Sequence, residues 1–72
     1  MRIFTNINDE VVELNEVSIV VEDLSDLTKL KQFLIYCKEK IEKNVFEHEH
    51  FNDFLDNHDN SNSDLIIVYQ DR

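Results

Sequence analysis

The residues with the clearest chemical potential are two histidines in the segment 46–51, which reads Phe-Glu-His-Glu-His-Phe. In an extended backbone alternate side chains share a face, so His48 and His50 would lie close enough to bind one metal ion. His58 or a nearby carboxylate is the candidate for a further ligand of a tetrahedral zinc site. Because a His-x-His pair is frequent by chance, zinc binding by His48, His50 and His58 is the alternative hypothesis. The leading one gives these histidines a structural or partner-binding role.

No other pattern in the chain suggests catalysis. There is no Gly-rich phosphate loop and no nucleophile elbow, since the chain contains no glycine at all. The single cysteine, Cys37, lies in a strongly apolar helical pattern without a nearby histidine, which predicts a buried thiol. We therefore expect that the protein is not an enzyme and that it needs no cofactor.

A long amphipathic helix is the clearest element that would position these residues. Apolar residues recur at intervals of three and four, which predicts a helix over about residues 24–43. The recurring residues are Leu27, Leu30, Leu34, Cys37 and Ile41, with Phe33 widening the stripe. Asp23 is placed to cap the N-terminus, and lysines crowd the last turns, where the helix dipole favours cations. Asn44 can end the helix in a left-handed conformation.

Strands are predicted on both sides of this helix. Runs rich in β-branched residues indicate strands at 17–21 and 65–69, and weaker candidates lie at 1–6 and 11–14. At least one weaker candidate is expected to pair with the strand at 17–21. The prediction is a single α+β domain over residues 1–72, with one helix packed on a small antiparallel sheet in the order β-β-α-β. A tract rich in Asn and Asp, at about 52–64, is predicted to be a mobile loop.

One helix covers only one face of such a sheet, so the other face needs a different cover. On the last strand Leu65, Ile67 and Tyr69 alternate with Ile66 and Val68, which leaves apolar side chains on both faces. The uncovered set, with Phe4 and Val20, is expected to form an association surface. A homodimer through the sheet is the simplest cover. The alternative is that residues 46–55 fold back over their own sheet.

The charge of the chain restricts its partners. Sixteen acidic residues against seven basic ones give 72 residues a net charge of −9. Nucleic acid and anionic membranes repel such a body, so we expect neither as a partner. No apolar run approaches the length of a membrane span and the first ten residues do not resemble a signal peptide, which favours a cytoplasmic location. The acidic residues cluster at 3–28 and 44–64, two stretches without Lys or Arg, and these surfaces could attract a basic protein.

Three segments, taken in order, carry a resemblance to a known family. They read Asp-Leu-Ser-Asp-Leu-Thr-Lys-Leu-Lys-Gln-Phe-Leu at 23–34, Phe-Glu-His-Glu-His-Phe at 46–51 and Asp-Leu-Ile-Ile-Val at 64–68. This pattern, over residues 16–70, resembles the small immunity proteins of bacterial polymorphic toxin systems, in the group numbered thirty-two. Leu24 stands where that family usually has proline, and Phe51 stands where it usually has leucine.

The resemblance implies a protein that binds and neutralises a bacterial toxin by occupying its active site or blocking its substrate. The charge agrees in sign, since an acidic inhibitor would associate rapidly with a basic toxin such as a nuclease. The expected partner-binding residues lie in one segment. They are Glu47, His48, Glu49, His50, Phe51, Asp53, Phe54, Asp56 and Asp59. Of these, Phe51 and Phe54 would be the apolar anchors of the interface, and simple closure of the core is an equally good interpretation of the two rings.

Overall fold

The computed structural model describes residues 1–56 and 64–70. Its elements follow in the order β1 (Ile3–Ile7), β2 (Glu10–Leu14), α1 (Leu24–Glu42), β3 (His48–His50), α2 (Phe51–Phe54) and β4 (Ile66–Val68). This confirms a small α+β fold with the broad order β-β-α-β. The prediction of one sheet is wrong, because the four strands form two separate two-stranded antiparallel sheets, β1 with β2 and β3 with β4.

The N-terminal hairpin is closed by a two-residue turn. Ile7 pairs with Glu10, and Asn8 and Asp9 between them have positive φ angles of 52° and 65°. Two central residues of positive φ are typical of the type I′ turn, whose twist matches that of the flanking strands. Asparagine and aspartate tolerate this conformation better than other residues that carry a side chain, which lets the hairpin form without glycine.

The strand predicted at residues 17–21 is absent. The two weaker candidates pair with each other instead, so β1 and β2 are both already engaged. A strand needs a hydrogen-bonded neighbour, and among the described residues this valine segment, as we call residues 17–21, has none. Its four large apolar side chains are between 38% and 82% exposed.

The long helix begins and ends where the sequence predicts. The Asp23 carboxylate accepts a hydrogen bond from the Ser25 backbone N–H at 2.8 Å, and this bond lowers the pKa of Asp23. At the other end Asn44 has a φ of 58° and donates its backbone N–H to the Ile41 carbonyl, while the N–H of Val45 reaches the Lys40 carbonyl. This pair of bonds is a Schellman motif with asparagine in the position usually taken by glycine.

The core is small and aromatic. Among the described residues, Phe33 and Cys37 of α1 are the buried ones, with exposures of 0% and 2%. Phe33 contacts both aromatic rings of α2, with ring centroids 5.1 Å from Phe51 and 5.4 Å from Phe54. The ring of Phe54 also lies 5.2 Å from that of Tyr36. The helix therefore turns its Phe33 side inward.

This rotation of α1 leaves part of the predicted apolar stripe outside the core. Leu27 and Leu34 are about half exposed, and so is the neighbouring Ile35. The tract predicted as a loop at 52–64 is also partly helical, because Phe51–Phe54 forms α2. Short helices form when packing fixes their apolar side chains, which here happens against Phe33. The rest of that tract, 57–63, lies outside the described residues.

The described residues expose many large apolar side chains. Within 1–56 and 64–70, seventeen large hydrophobic residues are more than a third exposed. Contiguous exposed apolar surface is typical of association sites. No helix within the described residues is long and apolar enough to span a bilayer.

Candidate functional site

Residues 48–50 form β3, one of the two strands of the second sheet. β3 pairs with β4 so that His48 lies opposite Val68 and His50 lies opposite Ile66. Residues opposite each other in an antiparallel pair point to the same face, so these four side chains share one surface, which we call the outer face. The two imidazole rings meet edge to face with centroids 5.5 Å apart. The sequence predicts no strand here, but an extended backbone would place both histidines on one side, and the structure has this arrangement.

No described residue covers the apolar part of the outer face. Ile66 is 48% exposed and Val68 is 60% exposed, and His48 is exposed beside them. The alternative in which residues 46–55 fold back as a lid over the sheet is wrong. Those residues supply β3 to the sheet itself and α2 to the aromatic core, where Phe51 and Phe54 pack against Phe33.

The opposite side of β3 is tied to the long helix. Glu49 forms an ion pair with the ammonium group of Lys40, and that ammonium also donates to the Tyr36 hydroxyl at 3.3 Å. Both hydrogen bonds stabilise the protonated amine and raise the pKa of Lys40. Burial raises the pKa of the neighbouring Cys37 thiol, and the Glu49 charge adds to that effect. Cys37 is therefore a buried, protonated thiol, as the sequence predicts.

The Asp64 carboxylate joins three elements at the edge of the outer face. Its Oδ1 accepts hydrogen bonds from the backbone N–H groups of Asn52 and Leu65, both at 2.9 Å. Its Oδ2 lies 2.7 Å from Nδ1 of His50. Asn52 belongs to α2, His50 belongs to β3, and Leu65 leads into β4. The Asp64 side chain therefore fixes the position of β4 relative to β3 and α2.

The same contacts determine the ionisation of Asp64. Partial burial disfavours its charged form, but the hydrogen bonds from Asn52, His50 and Leu65 outweigh that cost and lower its pKa. A carboxylate that accepts several hydrogen bonds is held in its anionic form, which suits a structural anchor better than a general acid or base. The site carries a fixed negative charge beside His50.

The partner-binding residues expected from the sequence divide into two groups. Glu47, His48, Asp53 and Asp56 are exposed. Four others are used inside the fold: Glu49 pairs with Lys40, His50 with Asp64, and Phe51 and Phe54 pack on Phe33. The alternative interpretation of Phe51 and Phe54 was that they close the core, and their contacts with Phe33 agree with it. Asp59 and His58 lie outside the described residues.

The described residues contain no group of three or more His, Cys, Asp and Glu side chains arranged to hold a metal ion. Two histidines of the proposed zinc set do come together on the outer face, and the third, His58, is not described. Because Asp64 engages Nδ1 of His50, the Nε2 atom of that ring is the one left for any ligand.

Sequence reasoning missed two residues of this site, Asp64 and Lys40. A local signal for Asp64 existed, since an aspartate just before a strand often accepts backbone hydrogen bonds. The pairing of Lys40 with Glu49 had no such signal, because any of several lysines on the helix could have faced any of several acidic residues. No family model, no curated protein and no solved structure matches this chain, so the resemblance to the immunity proteins stays a prediction.

Proposed function

We propose that this chain is a cytoplasmic interaction protein of the immunity type, which binds and neutralises a basic bacterial protein toxin, such as a nuclease. The observation that carries the proposal is the exposed apolar strip on the outer face, together with the exposed acidic residues that flank β3 in the sequence. In this proposal the chain performs no catalysis and binds neither nucleic acid nor membrane.

The outer face has the composition of a protein interface. Ile66 and Val68 supply an apolar centre, and His48 adds a ring that can both stack and form hydrogen bonds. Exposed apolar surface of this kind is typical of association sites in soluble proteins. The centre would exclude water from the contact, which strengthens the polar interactions around it.

Exposed acidic side chains lie close to β3 in the sequence and favour a basic partner. Glu47 precedes β3 and Asp53 lies in α2 directly after it, and both are exposed. Because the chain carries a net charge of −9, long-range attraction would raise its association rate with a cationic protein. A homodimer through this sheet stays a prediction. It would bring like charges together, so a basic partner is favoured over it.

The proposal assigns binding to different residues from those that close the core. Phe51 and Phe54 stabilise the fold against Phe33, and Ile66 and Val68 replace them as the apolar anchors. Glu49 and His50 position the strand, while Glu47, His48 and Asp53 meet the partner.

The first test is protection in cells. The chain is co-expressed with the C-terminal domain of the protein encoded immediately upstream of its gene, and growth is compared with expression of that domain alone. Restored growth, with a stable complex of the two purified proteins, is the expected result. A toxic upstream domain that the chain neither binds nor neutralises, or an upstream domain that is not toxic, contradicts the immunity function.

The second test asks whether Glu47 and Asp53 themselves contact the partner or act only through the net charge of the chain. Association of the complex is measured by stopped flow at low and moderate salt for the double variant Glu47→Lys, Asp53→Lys. A control double variant, Glu10→Lys with Glu39→Lys, changes the net charge equally at exposed positions elsewhere. We expect the first variant to associate about tenfold more slowly than the control at low salt. Equal rates for the two variants would remove the assigned surface.

A zinc-binding domain is the second candidate function. It is supported by the 5.5 Å separation of the His48 and His50 rings and by Asp64 at Nδ1 of His50, the kind of contact that orients metal-binding histidines. It predicts that ZnCl₂ raises the melting temperature, that EDTA reverses this, and that His48→Ala with His50→Ala abolishes it. A melting curve insensitive to both reagents rules this candidate out.

A further inference from the structure

A second apolar surface lies on the long helix, away from the outer face. It is a shallow groove on α1, and we call it the leucine groove. Its lining residues are Leu27, Leu30, Leu34 and Ile35, with Lys31 and Lys38 at its border. Leu27, Leu34 and Ile35 are each about half exposed. Rotation of the helix toward Phe33 has left this face without a cover among the described residues.

The valine segment is the complementary feature of the same chain. In an extended conformation Val17, Ile19 and Val21 would share one face, and all three are exposed in this structure. The segment is bordered by Glu16 on one side and Glu22 on the other. It therefore offers an apolar strip with acidic ends, where the leucine groove offers an apolar surface with basic borders.

We propose that two copies of this chain form a symmetric dimer in which the valine segment of each copy lies in the leucine groove of the other. Glu16 and Glu22 of one copy then face Lys31 and Lys38 of the second. Because every chain carries both the segment and the groove, the contact is made twice around a twofold axis. Such self-complementary interfaces close on themselves and are the commonest kind in homo-oligomers.

The dimensions of the two surfaces agree. The groove from Leu27 to Lys38 covers eleven helical residue steps, about 16 Å at 1.5 Å per residue. The four steps of the valine segment cover about 13 Å if it is extended. The apolar part of the segment therefore fits along the groove. Glu16 and Glu22 would lie about 20 Å apart if extended, and Lys31 and Lys38 lie about 10 Å apart along the helix. The long side chains of lysine and glutamate span the remaining difference of about 5 Å at each end.

The dimer uses surfaces other than the outer face. It does not depend on the proposed function, and a toxin could bind each copy.

The charges favour a second copy over an unrelated partner. Lys31 has no ion-pair partner among the described residues, and Lys38 has only an exposed pair with Glu42 at 3.7 Å, which contributes little. A chain of net charge −9 has few cationic sites, and two of its seven basic residues border this groove. The acidic ends of the valine segment supply the matching charge.

A charge-exchange experiment tests this arrangement. One variant carries Lys31→Glu and Lys38→Glu, and the other carries Glu16→Lys and Glu22→Lys. Sedimentation equilibrium is measured for each alone and for an equimolar mixture at fixed ionic strength. Each variant alone should dimerise about a hundredfold more weakly than the original chain, since four charge contacts per dimer become repulsive. The mixture should recover dimerisation, because both contacts of the heterodimer again join opposite charges.

The design separates this pairing from general charge effects. Each reversal changes the net charge of −9 by two units, so the variants carry −13 and −5 and remain alike in sign. Two control variants match these charges at exposed positions outside the groove and the valine segment: Lys29→Glu with Lys43→Glu carries −13, and Glu10→Lys with Glu39→Lys carries −5. Each control should dimerise more strongly than the test variant of the same net charge. A monomeric original chain at millimolar concentration, variants that dimerise normally, or a mixture that stays monomeric would each overturn the proposal.

The unchanged sequence provides an independent measurement. An equimolar mixture of ¹⁴N-labelled and ¹⁵N-labelled chain is coupled with a zero-length carbodiimide and digested. Cross-links from Lys31 or Lys38 to Glu16 or Glu22 should occur with mixed isotopes, which proves that they join two chains. If those cross-links carry one isotope only, the valine segment lies in the groove of its own chain, and the dimer is refuted without any variant.

Discussion

Replacement of Asp64 is the most informative perturbation of this fold, because one carboxylate holds β3, α2 and β4 together. Its Oδ1 accepts from Asn52 and Leu65 at 2.9 Å and its Oδ2 lies 2.7 Å from His50. Asp64→Ala removes all three contacts at once. Asp64→Asn removes the charge but retains an oxygen at the Oδ1 position.

The expected loss follows from these contacts. Hydrogen bonds to a charged group contribute about 1.5–3 kcal/mol each when buried. The Asp64 side chain is 30% exposed, and its bond to Leu65 joins adjacent residues, so that bond contributes little to the tertiary fold. Two partly solvated tertiary contacts give about 2 kcal/mol for Asp64→Ala and about half of that for Asp64→Asn. For a domain of this size, 2 kcal/mol corresponds to roughly 10 °C in melting temperature.

Urea unfolding followed by far-UV circular dichroism at pH 7 measures this loss, with all proteins at the same concentration. Glu47→Gln is the matched control for Asp64→Asn, since it removes one negative charge from an exposed carboxylate of the same segment. The control should change the free energy of unfolding by less than about 0.5 kcal/mol. Equal stability of Asp64→Ala and Glu47→Gln would refute the anchoring role of Asp64.

The difference in stability between the original chain and Asp64→Asn should depend on pH. Because the folded state lowers the pKa of Asp64, its stabilisation is complete above the ordinary value of 3.8 and is lost as the pH falls through the lower, folded value. Acid also relieves the repulsion within a chain of net charge −9, so the stability of the original chain alone is not diagnostic. The difference between the original chain and Asp64→Asn should shrink below pH 3.8. A difference that persists at lower pH would contradict the assigned charge.

Three further predictions concern the core and the helix end. Phe33→Ala should cost about 3–5 kcal/mol and largely unfold the chain, whereas Phe4→Ala on the exposed hairpin should cost about 1 kcal/mol or less; a Phe33→Ala variant that keeps its helical circular dichroism would contradict the aromatic core. In urea unfolding, Asn44→Gly should raise the free energy of unfolding and Asn44→Ala should lower it, each by about 1 kcal/mol, because Asn44 has a φ of 58°; the reverse order would exclude the left-handed cap. Burial raises the pKa of the Cys37 thiol, so its reaction with Ellman's reagent at pH 8 should be slow in buffer and fast in urea, and equal rates would show that the thiol is accessible.

Several elements could be predicted from the sequence because their signals are local. The helix bounds follow from the Asp23 cap, the apolar period and Asn44, all of which lie within or next to the helix itself. The shared face of His48 and His50 follows from strand alternation alone. The buried thiol of Cys37 follows from its place in the apolar stripe.

The valine segment shows why the strand prediction failed there. Its composition is as favourable for a strand as that of β4, and it is more apolar than β1. Composition reports only that a residue suits a pleated surface, whereas a strand also needs a partner at the right place. The turn at Asn8 and Asp9 pairs β2 with β1. The valine segment therefore has no strand partner among the described residues.

The sequence by itself thus determined where the helix starts and stops, which residues alternate along β4, and the excess of negative charge. The tertiary structure alone decided that Phe33 rather than the leucines faces inward, that Lys40 pairs with Glu49, and that Asp64 holds His50. The physical reason is distance along the chain. Caps, turns and periodicity are encoded within a few residues, whereas packing and ion pairing are chosen by competition among many partners that meet only when the chain folds.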